Sequence, residues 1–267
     1  MTPPVVLSIA GSDSGGGAGI QADLRTCAAL GVFGTTAITA VTAQNTLEVR
    51  AVHALPPEMV EAQIRAVTDD LHVAAVKTGM LADEKIVTIV AELAEEGCLP
   101  NLVVDPVLVA STGAALATAP SVDAYLARLL PLAQVITPNL HEAGRLLGRT
   151  VATLDDQRDA ARDLGSLTGT VVVVKGGHAA LGSGADAVDI VWDGSRGYEL
   201  RRPRVDTINN HGSGCSFSSA IAAGLAAGRS TVDAIAAANE FVHRAIVGGA
   251  DWQLGGGHGP LNHFSTG

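Results

Sequence analysis

"VVLSIAGSDSGGGAGIQAD", residues 5–23, joins an apolar run to a glycine-rich turn and then to a helix-like segment. The run at 5–10 is almost continuously apolar, which is typical of a strand buried on both faces of a sheet. Glycine-rich turns between a strand and a helix often bind phosphate. The stretch therefore predicts the first strand–turn–helix unit of an α/β fold with a ligand near the turn.

The same alternation continues along the chain. Further apolar strands are predicted at 36–41, 74–78, 102–105, 134–137 and 171–175. Helices are predicted near 19–30, 57–69, 83–96, 121–130, 140–147 and 154–167. A hairpin turning at Asp193-Gly194 and two helices near 214–227 and 231–247 follow. This pattern predicts one domain, residues 1–267, in which helices cover both faces of a mainly parallel sheet.

The composition excludes several classes of protein. The net charge is −10, and the only lysines are Lys77, Lys85 and Lys175. A nucleic-acid-binding protein usually has a basic face, and no such cluster occurs, so we expect no nucleic-acid partner. An anionic substrate would have to be held by backbone amides, a metal ion and a few cations.

The cysteines and the termini indicate the compartment. Three cysteines, at 27, 98 and 215, are too few and too scattered for a disulfide framework or a CxxC zinc site. The N-terminus lacks the basic region of a signal peptide. The uncharged segment 208–228 is too polar in its first half to cross a bilayer. We therefore expect a cytoplasmic protein with no membrane partner.

The opening glycine turn matches neither of the familiar phosphate motifs. A Walker A loop needs a Gly-Lys pair, but no lysine precedes Lys77. A dinucleotide fingerprint starting at Gly15 would need glycine at position 20, where Ile20 stands. The glycines instead permit close backbone approach to a ligand, with Asp23 near the pocket floor. The alternative is an ordinary tight turn with a surface aspartate.

A second glycine-containing run, "NNHGSGCSFSSAIAAGLAAG" (209–228), fits an anion better. Gly212, Ser213 and Gly214 come just before a helix, whose N-terminal amides and dipole favour negative charge. Cys215 stands at the helix start, where the pKa of a thiol is lowered. A nucleophile elbow would need glycines at 213 and 217, which are Ser213 and Phe217 here. The alternative for Cys215 is a buried, inert thiol.

Further polar residues stand at predicted strand ends. Asp105 ends the strand in "VVDPV", and Asn139 and Glu142 lie three residues apart at a helix start. An acidic pair near a phosphate-binding helix terminus suits Mg²⁺. Lys175 ends the apolar run "VVVVK", where it needs an anion or carboxylate to offset burial. Each residue alone could equally be a helix cap or a solvated strand end.

Taken together and in order, the motifs resemble the ribokinase superfamily, and within it the hydroxymethylpyrimidine/phosphomethylpyrimidine kinases of thiamine biosynthesis. The matching stretches are "AGSDSGGGAGIQADL" (10–24), "AITAVTAQNT" (37–46), "VKTGML" (76–81), "VVDPV" (103–107), "TPNLHEA" (137–143), "VKGGH" (174–178), "HGSGC" (211–215) and "GHGPLNH" (257–263). The resemblance runs nearly end to end. It implies a ribokinase-like three-layer α/β/α sandwich.

The resemblance also implies roles for individual residues. The first glycine loop would lie on the side of the alcohol substrate, so the predicted aminopyrimidine contacts are Gly11, Asp23, Gln44, Met80 and Val107. Asp105 and Glu142 would hold Mg²⁺. Thr137, Asn139, Glu142, Lys175 and Ser213 would bind ATP. Gly212, Gly214, Lys175 and Cys215 would serve the transferring phosphoryl group.

The usual "GTGC" of the family reads "GSGC" here, which keeps the hydroxyl at Ser213, and two further positions, Cys215 and Asn239, bear on the chemistry. Most of the superfamily has aspartate where this chain has Cys215, whereas the pyrimidine kinases resemble this chain in having cysteine. We expect Cys215 to accept the proton of the attacking hydroxyl, and its place at a helix start makes a thiolate plausible at neutral pH. Relatives commonly carry a lysine at the position of Asn239, so the resemblance does not say what supports ATP there.

The implied activity is ATP- and Mg²⁺-dependent phosphorylation of 4-amino-5-hydroxymethyl-2-methylpyrimidine to its monophosphate and then its diphosphate. A homodimer is expected from the family. The nearest alternative is a pyridoxal kinase of the same superfamily, although Gln44 with Met80 favours the pyrimidine. A ligand sensor without catalysis and a Cys215 hydrolase that uses His211 are the more distant alternatives.

Overall fold

In the described part of the chain, nine strands form one central sheet. The computed structural model describes residues 2–108, 120–177 and 186–265. The strands are β1 Val5–Asp13, β2 Phe33–Gln44, β3 Val49–Ala54, β4 Val73–Thr78, β5 Leu102–Val104, β6 Val135–Ile136, β7 Val171–Val174, β8 Asp186–Trp192 and β9 Gly197–Pro203. Their order is β3-β2-β1-β4-β5-β6-β7-β8-β9. The stretch from β2 to β7 is parallel, and β3, β8 and β9 extend it in antiparallel fashion.

Helices cover both faces of this sheet. They are α1 Gly19–Ala29, α2 Pro57–Thr68, α3 Glu84–Glu95, α4 Pro120–Ala124, α5 Leu140–Leu147, α6 Leu154–Thr168, α7 Ser213–Ala226 and α8 Thr231–Gly249. Alternate residues of the central strands pack to opposite sides, because successive side chains of a strand point to opposite faces. Val103 packs with the apolar residues of α7 and α8, whereas Val104 packs with those of α2, α3 and α6.

The predicted three-layer sandwich is therefore confirmed, with a few local differences. The hairpin turns at the predicted place, because Trp192 pairs with Gly197 across residues 193–196. β3 was not predicted, since its residues are mostly exposed and lack a continuous apolar run. The helix predicted at 121–130 is wrong in form. α4 passes into a π-helical turn at Tyr125–Leu129 and a 3₁₀ turn at Leu130–Leu132. Pro131 has no N–H to bond the carbonyl of Ala127, and its ring would clash with that carbonyl in a regular α-helix.

A search for membrane-spanning helices among the described residues finds none of sufficient length and apolarity.

A buried ion pair joins α1 and α7, two helices of the same layer, to the central strands of the sheet. Nζ of Lys77, in β4, lies 3.0 and 2.9 Å from the two carboxylate oxygens of Asp23, in α1. Ser8 of β1 and Ser219 of α7 donate to the same carboxylate at 2.6 and 2.8 Å. Burial acts to lower the pKa of Lys77, but Asp23, together with Cys215 and Asp105, outweighs it and the net pKa is raised. The pair is therefore charged and joins α1, β1, β4 and α7.

We predict that Lys77→Met destabilises the protein strongly, because the Asp23 carboxylate would remain buried without its cation. Breaking such a pair costs about 3–5 kcal/mol. Adding Asp23→Asn should restore part of the free energy of unfolding, since it removes the remaining charge and keeps polar atoms for the two serines. Urea denaturation of the wild type and the variants measures both effects.

Arg65→Met is the matched control, because Arg65 also contacts two carboxylates, those of Glu61 and Glu96, but at the surface. It should leave the free energy of unfolding nearly unchanged. A double variant no more stable than Lys77→Met alone would contradict a charged pair.

Candidate active site

A cavity of about 760 Å³ opens at the carboxyl ends of the parallel strands. Open α/β sheets bind their ligands at this edge. The predicted residues that line it are Gly11, Gln44, Met80, Asp105, Val107, Asn139, Glu142, Lys175, Gly212, Ser213, Gly214 and Cys215. The structure thus brings the first glycine loop and the late turn to one space.

The glycine-rich loop of residues 11–19 (the first loop) and the turn of residues 209–214 (the late turn) pack directly on each other. Gly212 has φ +85°, and a Cβ at this position would collide with the carbonyl oxygen of Gly17. Only glycine combines a left-handed backbone with this contact. The late turn is therefore seated on the first loop by backbone packing, and this contact fixes where α7 begins.

Asp13 organises the first loop, a role that the sequence analysis missed. Its carboxylate accepts from the N–H groups of Gly15, Gly17 and Ala18 at 2.8, 3.0 and 2.9 Å. Nε2 of His211 lies 3.1 Å from Oδ2 of the same carboxylate. Burial acts to raise the pKa of Asp13, but the bonds with His211 and the loop amides outweigh it and hold the pKa below its usual range. An ionised Asp13 therefore links the loop to His211.

The first turn of α7 faces the cavity with its amide groups. The N–H groups of a first helical turn have no acceptor within the helix. That of Ser213 already donates to the carbonyl of Asn210 at 3.2 Å, so its backbone is engaged within the turn. Gly214 and Cys215 therefore offer the amides best placed for an anion. The side chain of Lys175 approaches the same turn, since a Cβ added at Gly214 would lie 3.1 Å from Nζ.

Asp105 lies near the first turn of α7, and three side chains contact its carboxylate. Its Oδ1 accepts from Nζ of Lys175 at 2.8 Å and from Oγ1 of Thr137 at 3.2 Å. Oδ2 lies 3.4 Å from Oγ of Ser218. The half-buried Lys175 is thus paired with a carboxylate beside the helix terminus.

Glu142 and Asn139 form a capping box at the start of α5. The Glu142 side chain accepts from the Asn139 N–H at 2.8 Å, and the Asn139 side chain accepts from the Glu142 N–H at 2.9 Å. Burial raises the pKa of Glu142 to about 7, with Lys175 lowering it and Asp105 raising it. A group with this pKa exchanges its proton near neutral pH.

The donor set suits a hard cation that also binds phosphate. Among the described residues, no group of three or more His, Cys, Asp or Glu side chains could hold a metal ion by itself. Mg²⁺ commonly binds one or two carboxylates and completes its shell with water and phosphate oxygens. Asp105 and Glu142 on the cavity wall match that pattern, because ionised carboxylates keep lone pairs beyond those used above.

The thiol of Cys215 differs from the expectation. Burial raises its pKa to about 11, although Lys77 acts to lower it. The sequence argument considered the helix terminus and not the loss of water around the thiol. Cys215 is therefore a protonated thiol at neutral pH in the ligand-free protein.

Two predicted contacts lie behind the cavity wall. Asp23 is fully buried and both its oxygens are bonded to Lys77 and to the serines described above. This placement disagrees with a direct ring contact, because a ligand would have to displace the ion pair. Thr137 is also fully buried and donates to Asp105, so it lies behind this cavity-lining carboxylate.

Asn239 belongs to a polar network on the cavity wall. Its amide donates to Oδ2 of Asp189 at 3.0 Å and accepts from Nε of Arg202 at 2.8 Å. Burial raises the pKa of Asp189, while hydrogen bonds from Gly176 and Asn239 lower it. Arg202, which also lines the cavity, supplies a cation to this wall.

Sequence comparison relates this chain to known kinases. The family model described as phosphomethylpyrimidine kinase matches residues 13–262. A hydroxymethylpyrimidine/phosphomethylpyrimidine kinase of Streptomyces coelicolor is 49% identical over 98% of this chain and 95% of its own length.

Solved structures show the same fold. The structure of an ADP complex of Bacillus subtilis pyridoxal kinase has a TM-score of 0.89 and 37% identity, over 99% of this chain and 98% of the other. The phosphomethylpyrimidine kinase of Clostridium difficile has a TM-score of 0.78 and 37% identity, over 91% and 99%. The chain has a ribokinase-like fold and belongs to the phosphomethylpyrimidine kinase family.

Proposed function

We propose that this kinase transfers the γ-phosphoryl group of ATP to 4-amino-5-hydroxymethyl-2-methylpyrimidine and then to the resulting monophosphate, in thiamine biosynthesis. The observation that carries the proposal is that one cavity contains both kinds of residue. Some of its residues suit a flat ring, and others, the backbone amides of the late turn and Lys175, suit a phosphate. A hydroxyl on the ring and a terminal phosphate could therefore meet there.

The ring would bind between Met80 and Val107, with Gly11 leaving room for its edge. These side chains are apolar, and Met80 is adaptable enough to cover an aromatic face. Gln44 would hydrogen-bond the ring edge through its side-chain amide. Asp23 would act indirectly, by holding α1 and Lys77 in place.

The ATP phosphates would lie against the first turn of α7 and Lys175. Asn139 and Glu142 would face them from α5, and the Ser213 side chain from the late turn. Asp105 and Glu142 would hold Mg²⁺, which when bound would neutralise charge on the phosphate oxygens. Where relatives commonly carry a lysine, this chain has Asn239, and the adjacent Arg202 would supply a cation for the nucleotide.

Transfer would form a bond from the hydroxymethyl oxygen to the γ-phosphorus and break the bond to the ADP oxygen. The hydroxyl proton would pass to the thiolate of Cys215. Because phosphoryl transfer has a loose transition state, this proton leaves late, and a sparsely populated base suffices. The amides of Gly214 and Cys215 and the charge of Lys175 would stabilise the transferring group.

We extend the proposal to assembly and location. The sheet ends at the exposed strand β3, and apolar Val41, Leu47 and Val52 are exposed in this region. A second copy of the chain covering this edge would give a homodimer. All three cysteines are free thiols, which supports a reducing compartment such as the cytoplasm.

Incubation with ATP, Mg²⁺ and the hydroxymethylpyrimidine should give the monophosphate and then the diphosphate, identified by mass. A higher kcat/KM for the pyrimidine than for pyridoxal is expected. The opposite ratio would make the protein a pyridoxal kinase, as some structural neighbours are named. If neither alcohol caused ADP release, the protein would be a ligand sensor. If it hydrolysed an activated ester, it would be a hydrolase that uses Cys215.

The proton-acceptor role of Cys215 predicts a distinctive pH profile. Since the pKa is raised to about 11, the thiolate fraction is small at pH 7 and grows as the pH rises. The single-turnover rate of wild type should therefore keep increasing between pH 8 and 10, above the range in which Glu142, with a pKa of about 7, loses its proton. In Cys215→Ala this increase should be absent, and the rate should be about 10²–10⁴-fold lower.

Cys98→Ser is the matched control, because Cys98 is a partly exposed thiol that does not line the cavity. It should keep the wild-type rate and profile. A Cys215→Ala variant with a near-normal rate would leave Cys215 with a packing role only.

A further inference from the structure

One ring nitrogen of His211 faces two partners with opposite requirements. Nε2 lies 3.1 Å from Oδ2 of Asp13 and 3.0 Å from the amide nitrogen of Gln44. A carboxylate oxygen only accepts a hydrogen bond, whereas an amide NH₂ group only donates one. Because Nε2 either carries a proton or offers a lone pair, it cannot satisfy both partners in this arrangement.

Asp13 decides which state Nε2 adopts. Its carboxylate is fixed by the three amide groups of the first loop at 2.8–3.0 Å and has a lowered pKa. An ionised oxygen at this distance requires a donor. A bare Nε2 would place its lone pair against the negative charge, which is unfavourable in a buried site.

Gln44 can then meet a protonated Nε2 only through its amide oxygen. A half-turn about the last side-chain torsion exchanges the oxygen and nitrogen and moves little else. The backbone of Gln44 stays in place, because its N–H and C=O are bonded to the hydroxyl of Ser14 at 2.8 and 2.7 Å. The amide orientation is thus a local choice that the histidine controls.

We propose that His211 carries a proton on Nε2 and thereby fixes the Gln44 amide, with its oxygen on the histidine and its NH₂ group toward the bound ring. The inference rests on the proposed binding of a ring beside Gln44. The NH₂ group requires an acceptor on that ring, such as an aromatic nitrogen with a free lone pair. His211 is therefore a positioning residue that sets which donor–acceptor pattern the site accepts.

The protonation of Nε2 can be read directly by NMR. Protein labelled with ¹⁵N-histidine gives long-range ¹⁵N–¹H spectra that report which ring nitrogen carries the proton. His211→Gln identifies the His211 signals among those of the eight histidines. We expect a protonated Nε2 at neutral pH, and a bare Nε2 overturns the proposal. The spectrum needs no turnover, so its result is independent of the proposed activity.

Gln44→Glu tests which amide atom faces the ring. Glutamate presents only acceptors, so a ring acceptor would lose its donor and meet an oxygen instead. We expect KM for the hydroxymethylpyrimidine to rise about 10- to 100-fold, with a smaller change in kcat. A rise of less than about threefold would mean that the amide oxygen already faces the ring, and would refute the proposal.

Substitutions of His211 separate positioning from packing. His211→Gln keeps an N–H donor that can reach Asp13 and Gln44, whereas His211→Leu keeps bulk without a donor. We expect the leucine variant to raise KM about tenfold and the glutamine variant to stay within about threefold of wild type. Equal losses in both variants would contradict the proposal. His53→Gln, at an exposed position in β3 outside the cavity, should change neither constant.

Discussion

The buried ion pair of Lys77 and Asp23 is the interaction on which the site depends. It is fully enclosed, and serines of β1 and α7 complete its hydrogen bonds. Two charges without water are stable only when they are paired with good geometry. The pair therefore fixes α1, β4 and α7 relative to one another, and α1 and α7 are the helices that follow the first loop and the late turn.

The cavity above this pair has two chemically different sides. On the side of the first loop the wall includes apolar Met80, and hydrogen-bond contacts connect Gln44, His211 and Asp13. Near Lys175 the wall is charged, and the Asp105 carboxylate acts to raise the pKa of Glu142. A neutral ring would suit the first side, and phosphates with a cation the second. The glycine at position 212 lets these sides approach each other.

The sequence predicted the features that depend on local pattern. Apolar runs located the parallel strands, and the spacing of Asn139 and Glu142 placed them on one helical turn, where they form the capping box.

The sequence could not predict features that depend on distant partners or on burial. Asp23 looked like a ligand contact because its cation is 54 residues away. Gln44 and His211 are 167 residues apart, so their contact has no local signal. The pKa of Cys215 was misjudged because burial outweighs the helix terminus. β3 lacks the apolar run that identifies a strand, and Pro131 alters the form of the helical segment before it.

The central claim is that the first turn of α7 seats the phosphate that is transferred. A crystal structure with a non-hydrolysable ATP analogue, Mg²⁺ and the pyrimidine alcohol tests it most directly. The account predicts a terminal phosphate oxygen within hydrogen-bond distance of the Gly214 and Cys215 amides and of the Lys175 ammonium group, with the alcohol oxygen on the opposite side of the phosphorus. A terminal phosphate bound away from this turn would contradict it.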